Sequence, residues 1–253
     1  MKLKDKVFIV TGATGGMGSE ISLEFARQGA RLVLSGRNNQ KGNKLTDKIN
    51  SSRIQSVFLA GDVGELSYNR ELVQLAIQTF GRIDGVVTNA GQLGLGSVTE
   101  LDPDVWNRTF RTNTDSVFYL LKFALPEMLK NESGVVVINS SIAAFKSFPN
   151  HPAYCASKAA LTALARQMAV DYGPKIRINS IAPGPVDTEF LHDSARAFPV
   201  PEKAVSDAEN ATLLKRLGTP GDIAKLALFL SCDDSSWITG SNFTIDGGIL
   251  ANG

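Results

Sequence analysis

The chain has 253 residues, 43% of them hydrophobic and 20% charged, which is ample for a substantial core. A formal net charge of +1 argues against nucleic acid or a membrane surface as a partner recognised through bulk charge. No apolar run reaches the roughly 18–20 residues of a bilayer span, residues 1–6 lack a signal-like apolar core, and the two cysteines, Cys155 and Cys232, offer neither a disulfide framework nor metal-ligand spacing. The expectation is a cytoplasmic, metal-free, enzyme-like domain.

Short apolar runs alternate with helical periodicity from end to end. Strands are expected at residues 6–11, 31–35, 55–60, 84–88, 135–140, 177–181 and 243–245, and helices at 18–28, 40–50, 66–80, 103–129 and 153–172. Strands joined by helix-length connections make βαβ units and a parallel sheet, and strands this uniformly apolar call for helices on both faces. The expected fold is α/β, a doubly wound Rossmann-like domain spanning residues 1–253 around a seven-stranded parallel sheet. Residues 188–217 break the rhythm. They contain Pro199 and Pro201 and follow a strand end, where ligands bind in such sheets, so they read as a substrate-covering loop or short helical lid.

The first strand runs into Thr11-Gly12-Ala13-Thr14-Gly15-Gly16-Met17-Gly18, and a helical pattern begins at once. Glycines at a strand-to-helix turn let the backbone approach a pyrophosphate, and the helix N-terminus offers it free N–H groups. The spacing is not the G-x-G-x-x-G form. At the end of the second strand, where an NAD site usually places a carboxylate for the ribose hydroxyls, stand Ser35-Gly36-Arg37-Asn38. An arginine fork there suits a 2′-phosphate, which favours NADP(H), with NAD(H) still possible.

Further along, Tyr154 and Lys158 share a helix face at a spacing of four, and Ser141 ends the apolar run before them. A phenol beside a fixed ammonium and a serine hydroxyl can exchange a proton with a carbonyl oxygen while a hydride moves at carbon.

With these residues in hand, the whole chain resembles the short-chain dehydrogenase/reductase family. The family's T-G-x-x-x-G-x-G loop matches Thr11, Gly12, Gly16 and Gly18; its acidic adenine contact resembles Asp62-Val63; its N-A-G element matches Asn89-Ala90-Gly91. Its tetrad asparagine matches Asn113, and its serine, thirteen residues before the tyrosine, selects Ser141 over Ser140. Its P-G element with a downstream threonine matches Pro183-Gly184-Pro185-Val186-Asp187-Thr188.

The resemblance implies a catalytic tetrad of Asn113, Ser141, Tyr154 and Lys158. Tyr154 is then the acid for reduction and the base for oxidation. Lys158 lowers its pKa and holds the nicotinamide ribose, Ser141 bonds the substrate oxygen, and Asn113 supports a helix kink and a proton-relay water. The implied cofactor contacts are Gly12, Thr14, Gly15, Gly16, Met17, Gly18, Ser35, Arg37, Asn38, Asp62, Val63, Asn89, Ala90, Gly91, Tyr154, Lys158, Pro183, Gly184, Val186 and Thr188. Two positions depart from common family patterns. Gly15 stands where many NADP-dependent relatives carry a basic residue, and Thr88 replaces the first asparagine of Asn-Asn-Ala-Gly.

His151 reads equally as a pocket or a loop residue, and Phe145, Phe148 and Phe190 as pocket wall or core. Helices carrying Asn113 and Tyr154, with the C-terminal run through Gly248, commonly form subunit interfaces in this family, which implies a homotetramer. The expected function is NADPH-dependent reduction of a ketone to a secondary alcohol, of the 3-oxoacyl or the general carbonyl type. A basic patch from Lys122, Lys130, Arg166 and Lys175 would suit an acyl carrier protein. Oxidation of a sugar, polyol or cyclic alcohol is the alternative, and a non-turnover dinucleotide sensor the remote one.

Overall fold

In the computed structural model, which describes residues 1–52 and 54–252, seven parallel strands form one sheet. They are β1 (Val7–Val10), β2 (Arg31–Gly36), β3 (Ser56–Ala60), β4 (Gly85–Thr88), β5 (Gly134–Asn139), β6 (Ile176–Pro183) and β7 (Asn242–Ile245), in the order β3-β2-β1-β4-β5-β6-β7. The chain winds outward from β1 through β2 to β3, then returns so that β4 pairs with the other side of β1, with Phe8 beside Gly85. That reversal opens a crevice at the carboxyl ends of β1 and β4.

Helices cover both faces because neighbouring residues of each strand point to opposite sides. Phe8, Val10, Leu32 and Leu34 pack with Ile21 and Phe25 of α1 (Gly16–Arg27), Leu45 of α2 (Asn39–Asn50) and Ile223 of α9 (Pro220–Ser231). Ile9, Val33 and Val86 pack on the other side. Their partners are Leu72 of α3 (Leu66–Phe80), Leu120 and Leu121 of α5 (Ser116–Met128) and Leu161 of α6 (Pro152–Tyr172). The Phe8 and Phe25 rings meet edge-on with centroids 5.0 Å apart.

The expected strands all form, with ends shifted by one or two residues; β6 runs furthest beyond its expected length. Helices differ in two places. The single helix expected over 103–129 is split into α4 (Pro103–Phe110), one π-helical turn (Arg111–Asp115) and α5. A helix absent from the sequence reading, α9, starts at a capping box: Asp222 N–H donates to Thr219 Oγ1, and Thr219 N–H donates to the Asp222 carboxylate. Thr219-Pro220-Gly221-Asp222 carried that signal. Residues 188–217 are mostly helical, as α7 (Glu189–Ala195) and α8 (Pro201–Ala211).

Asp84, just before β4, ties the start of that strand to the start of the neighbouring β1. Its buried carboxylate accepts Val7 N–H at 2.9 Å and both Nε and Nη2 of Arg82 at 3.0 and 2.6 Å. Asp84→Ala leaves the Val7 N–H unpaired and should cost about 2–3 kcal/mol. Urea unfolding checks this, and a loss under about 0.5 kcal/mol would contradict it.

Candidate active site

The glycine loop closes on the chain after β4 through backbone-scale contacts. Gly12 has φ +63°, and a Cβ there would lie 2.9 Å from the Ala90 backbone. A Cβ on Gly18 would strike the Gly12 carbonyl oxygen, so α1 can approach the strand only with glycine at that position. Thr11 Oγ1 accepts the N–H groups of Asn89 and Ala90 at 3.0 and 3.2 Å, and Asn89 Nδ2 donates to Gly12 O at 3.2 Å. The N-terminus of α1, at Gly15, has no side-chain cap. Its first-turn N–H groups are therefore open to an anionic ligand in the crevice.

From Asn89 a line of hydrogen bonds crosses the strand ends. Asn139 Nδ2 donates to Asn89 Oδ1 at 2.8 Å, and Lys158 Nζ donates to the Asn139 carbonyl at 2.8 Å. Ser140 Oγ donates to Lys158 O at 2.8 Å, which fixes α6 against the end of β5. Asn113 sits buried in the π turn, a local widening that often marks functional sites. Its Nδ2 donates to Gln92 O at 3.0 Å and Ser157 Oγ at 2.9 Å, and its Oδ1 accepts Gln92 N–H at 2.7 Å. Ser157 Oγ in turn donates to the Tyr154 carbonyl at 2.8 Å. Asn113 thus fixes α6 one turn before Lys158.

Ser141 is extended and caps a single 3-10 turn, its Oγ accepting Ala143 N–H at 3.1 Å. Burial pushes the Tyr154 phenol up to about 12, and the Ser141 hydroxyl draws it part of the way back. Burial also lowers Lys158 to about 8. The Lys158 Nζ lies 5.7 Å from the Tyr154 ring centre. The sequence reading has the ammonium lowering the phenol's pKa; in the protein alone burial prevails, and the Ser141 hydroxyl is the neighbour that opposes it.

Two cavities meet at Tyr154. The larger, about 650 Å³, is the crevice over β1 and β4. It collects Gly12, Thr14, Gly15, Gly16, Met17, Arg37, Asn38, Asp62, Val63, Asn89, Ala90, Gly91, Tyr154, Lys158 and Thr188 from the expected set. The smaller, about 150 Å³, lies under α7 and α8 and takes Ser141, Pro183, Gly184 and Val186, together with Tyr154. Phe148, Phe190, Phe198, Leu191 and Ile142 line it, and among the described residues no charged side chain does. Of the residues read two ways, His151 and Phe148 line this cavity, whereas Phe145 is exposed and lines neither.

Three expected residues line neither cavity. Gly18 is a packing glycine and Asn113 a buried brace, as above. Ser35 is buried with its hydroxyl 2.8 Å from Tyr68 OH, turned away from the crevice, so as a cofactor contact it is corrected to a strand-packing residue. The sequence reading missed Lys41, Thr112, Asn139 and Glu189 in the crevice and Ser194 and Phe198 in the apolar cavity. Lys41 follows Asn38, whose side chain caps α2 by accepting Lys41 N–H at 2.9 Å; an Asn three residues before a Lys was the available signal. The four basic residues Lys122, Lys130, Arg166 and Lys175 are exposed and line neither cavity. Thr88 is buried, and its hydroxyl oxygen has no hydrogen-bond partner among the described residues.

Comparison with known proteins decides the family. A family model described as enoyl-(acyl carrier protein) reductase matches residues 12–250. An uncharacterized oxidoreductase of Thermotoga maritima is 35% identical over 252 residues, covering 99% of this chain and 100% of the relative. The chain belongs to the short-chain dehydrogenase/reductase family. Versicolorin reductase of Emericella nidulans is 32% identical, covering 98% of this chain and 96% of its own. Among solved structures, levodione reductase superposes with a TM-score of 0.94 at 29% identity, over 98% of this chain and 99% of that one. Aldohexose dehydrogenase of Thermoplasma acidophilum gives 0.87 at 28%, over 98% and 95%. The protein is therefore an oxidoreductase acting on CH–OH or carbonyl groups with an NAD(P)(H) cofactor. No described helix is long and apolar enough to cross a membrane.

The Lys158 shift has a measurable sign. Below pH 8 the folded and unfolded chains both carry its charge, and the folded state bears a burial cost of about 3 kcal/mol for the fall from 10.5 to about 8. Between pH 8 and 10.5 the folded group is neutral and the cost fades. Relative to the parent, Lys158→Met should therefore be more stable at pH 7 than at pH 10.5, by up to about 3 kcal/mol. Urea unfolding of both proteins at the two pH values measures it, and a pH-independent difference would contradict the buried ammonium.

Proposed function

We propose that the protein reduces an uncharged, largely apolar ketone to a secondary alcohol with NADPH, within one domain over residues 1–253 in which α7 and α8 form the substrate-covering lid. The observation that carries this reading is Tyr154. Its phenol stays protonated because burial raises its pKa, and it stands where the glycine-lined crevice meets the apolar cavity. A nicotinamide dinucleotide bound in the crevice would supply the hydride. Gly15, Gly16 and Met17 at the uncapped start of α1 would hold its pyrophosphate, Asp62 and Val63 its adenine, and Asn89, Val186 and Thr188 its nicotinamide half.

The protein's own residues handle the proton. Tyr154 donates to the carbonyl oxygen as negative charge develops there. Ser141 donates a hydrogen bond to the same oxygen. Lys158 would hold the nicotinamide ribose, and its charge stabilises the phenolate left behind. Asn113 keeps α6 in register and supports the water that returns the proton.

NADP(H) is favoured over NAD(H) at the far end of the crevice. No carboxylate ends β2, and Arg37, Asn38 and Lys41 line the crevice there. Lys41 offers a cation that the glycine loop, with Gly15, does not. The mostly apolar lining of the smaller cavity, with Phe148, Phe190, Phe198, Leu191 and Ile142, favours an apolar ketone over a sugar or polyol, whose hydroxyls need dense hydrogen bonding. The exposed basic residues line neither cavity and give no support to an acyl-carrier-protein partner.

A homotetramer fits the exposed apolar side chains of α4 and α5, Trp106 and Phe118, and of the C-terminal region, where Trp237 is 99% exposed. Free Cys155 and Cys232 suit a reducing, cytoplasmic setting.

Tyr154→Phe should lower kcat for ketone reduction by at least about 1000-fold while NADPH binding, followed by its fluorescence, changes little. Retained turnover would remove Tyr154 from the proton-donor role. Arg37→Ala should weaken NADPH far more than NADH, by at least about tenfold in the ratio of their Kd values. Equal losses for the two cofactors would remove Arg37 from the 2′-phosphate.

A further inference from the structure

His151 and Ser194 bring two hydrogen-bonding side chains into the wall of the mainly apolar cavity that Ser141 and Tyr154 also line. Their directions can be worked out atom by atom. His151 immediately precedes α6 and is buried, with Nδ1 2.6 Å from the Pro149 carbonyl oxygen. A carbonyl has no proton to give, so Nδ1 carries the hydrogen and donates it. A neutral imidazole has one N–H, which leaves Nε2 an acceptor. Nε2 lies 2.8 Å from Ser194 Oγ on α7, and the serine therefore spends its only proton on the histidine. What Ser194 has left for the cavity is a pair of acceptor sites and no donor.

The frame that enforces this polarity is firm. Phe148 packs edge-on against the imidazole at 6.2 Å between centroids, and Tyr154 and Phe198 each lie at 6.3 Å. Asn150 Nδ2 donates to Ala197 O at 3.2 Å, a second tie between the loop before α6 and the end of α7. Burial lowers the imidazole's pKa, which keeps it neutral at pH 7.

We propose that Ser194, oriented by His151, is a second substrate anchor that accepts a hydrogen bond from a hydroxyl group, so that the substrate class is a hydroxylated apolar ketone. The inference rests on the reductase reading for the position of the carbonyl, at Ser141 and Tyr154, and adds the chemistry of a second point on the cavity wall. A hydroxyl there satisfies the Ser194 lone pairs. A methoxy or a second carbonyl brings only another acceptor and leaves two lone-pair oxygens opposed. Discrimination is strongest where a site is built to pair a polar group that the competitor lacks.

The test compares tetralones carrying a hydroxyl, a methoxy or hydrogen on the aromatic ring at positions away from the carbonyl. Two readouts are taken at pH 7: kcat/KM with NADPH, and Kd by calorimetry on protein saturated with NADP⁺. The expected result is a preference for the best hydroxylated isomer over its methoxy counterpart of about tenfold in both readouts. Ser194→Ala should collapse that ratio toward unity, and Ser194→Thr, which keeps the hydroxyl, should retain it. His151→Phe should also collapse it, because the freed serine proton can then serve the methoxy oxygen. A side chain with a merely structural role would change all three ligands together. No hydroxyl preference in the parent, or the same preference in Ser194→Ala, overturns the anchor. A hydroxyl preference in Kd with no turnover of any ketone keeps the anchor and overturns the reductase reading.

Discussion

The hydrogen bond from Lys158 Nζ to the carbonyl of Asn139 is the constraint on which the site depends. It takes a charged amine out of water and fastens it to the end of a central strand. From there the connection runs through the Asn139 and Asn89 amides to the carbonyl of Gly12, so that β5, β4 and β1 and the helix bearing Tyr154 share one network. Such a network is costly if any member is left unpaired, and this one has an orphan: Asn139 lines the crevice, but its Oδ1 is buried and has no partner among the described residues.

The same burial that strains Lys158 sets the working state of Tyr154. A phenol at the boundary of an apolar cavity holds its proton, and a proton held is one available to a developing alkoxide. Separation of the two cavities follows from the topology. The crevice is polar because it opens where strand order reverses and where glycines and helix N–H groups gather. Its neighbour is apolar because α7 and α8 roof it with Phe190, Leu191, Ala204 and Val205. Tyr154 belongs to both, and no other tetrad residue does.

Most of the fold and much of the site were legible from the sequence for separable reasons. Strands buried on both faces write themselves as uninterrupted apolar runs, and the glycine loop, Asn89-Ala90-Gly91 and the Tyr154–Lys158 pair occupy fixed places relative to them. What escaped was set by tertiary contact. The apolar pattern of residues 103–129 reads as one helix; the family resemblance puts a kink at Asn113, but not the π turn over Arg111–Asp115 that makes it. Ser35 looked like a crevice residue from its position at a strand end, but its side chain points to the covered face and pairs with Tyr68. Lys41 drew no notice in the sequence; it lies in the first turn of α2, where Asn38 caps the helix, and lines the crevice. Ser194 lies in the stretch with the weakest periodicity, and only its 2.8 Å approach to His151 gives it a meaning.

The most direct test of the central claim, that the two cavities deliver a hydride and a proton to one carbonyl, is isotopic. The protein is incubated with NADPH deuterated at the transferable position of the nicotinamide and an uncharged ring ketone, and the alcohol is analysed by mass spectrometry. The account predicts one deuterium, bound to the carbinol carbon and on a single face of it. Alcohol without deuterium, or label distributed over both faces, would contradict it.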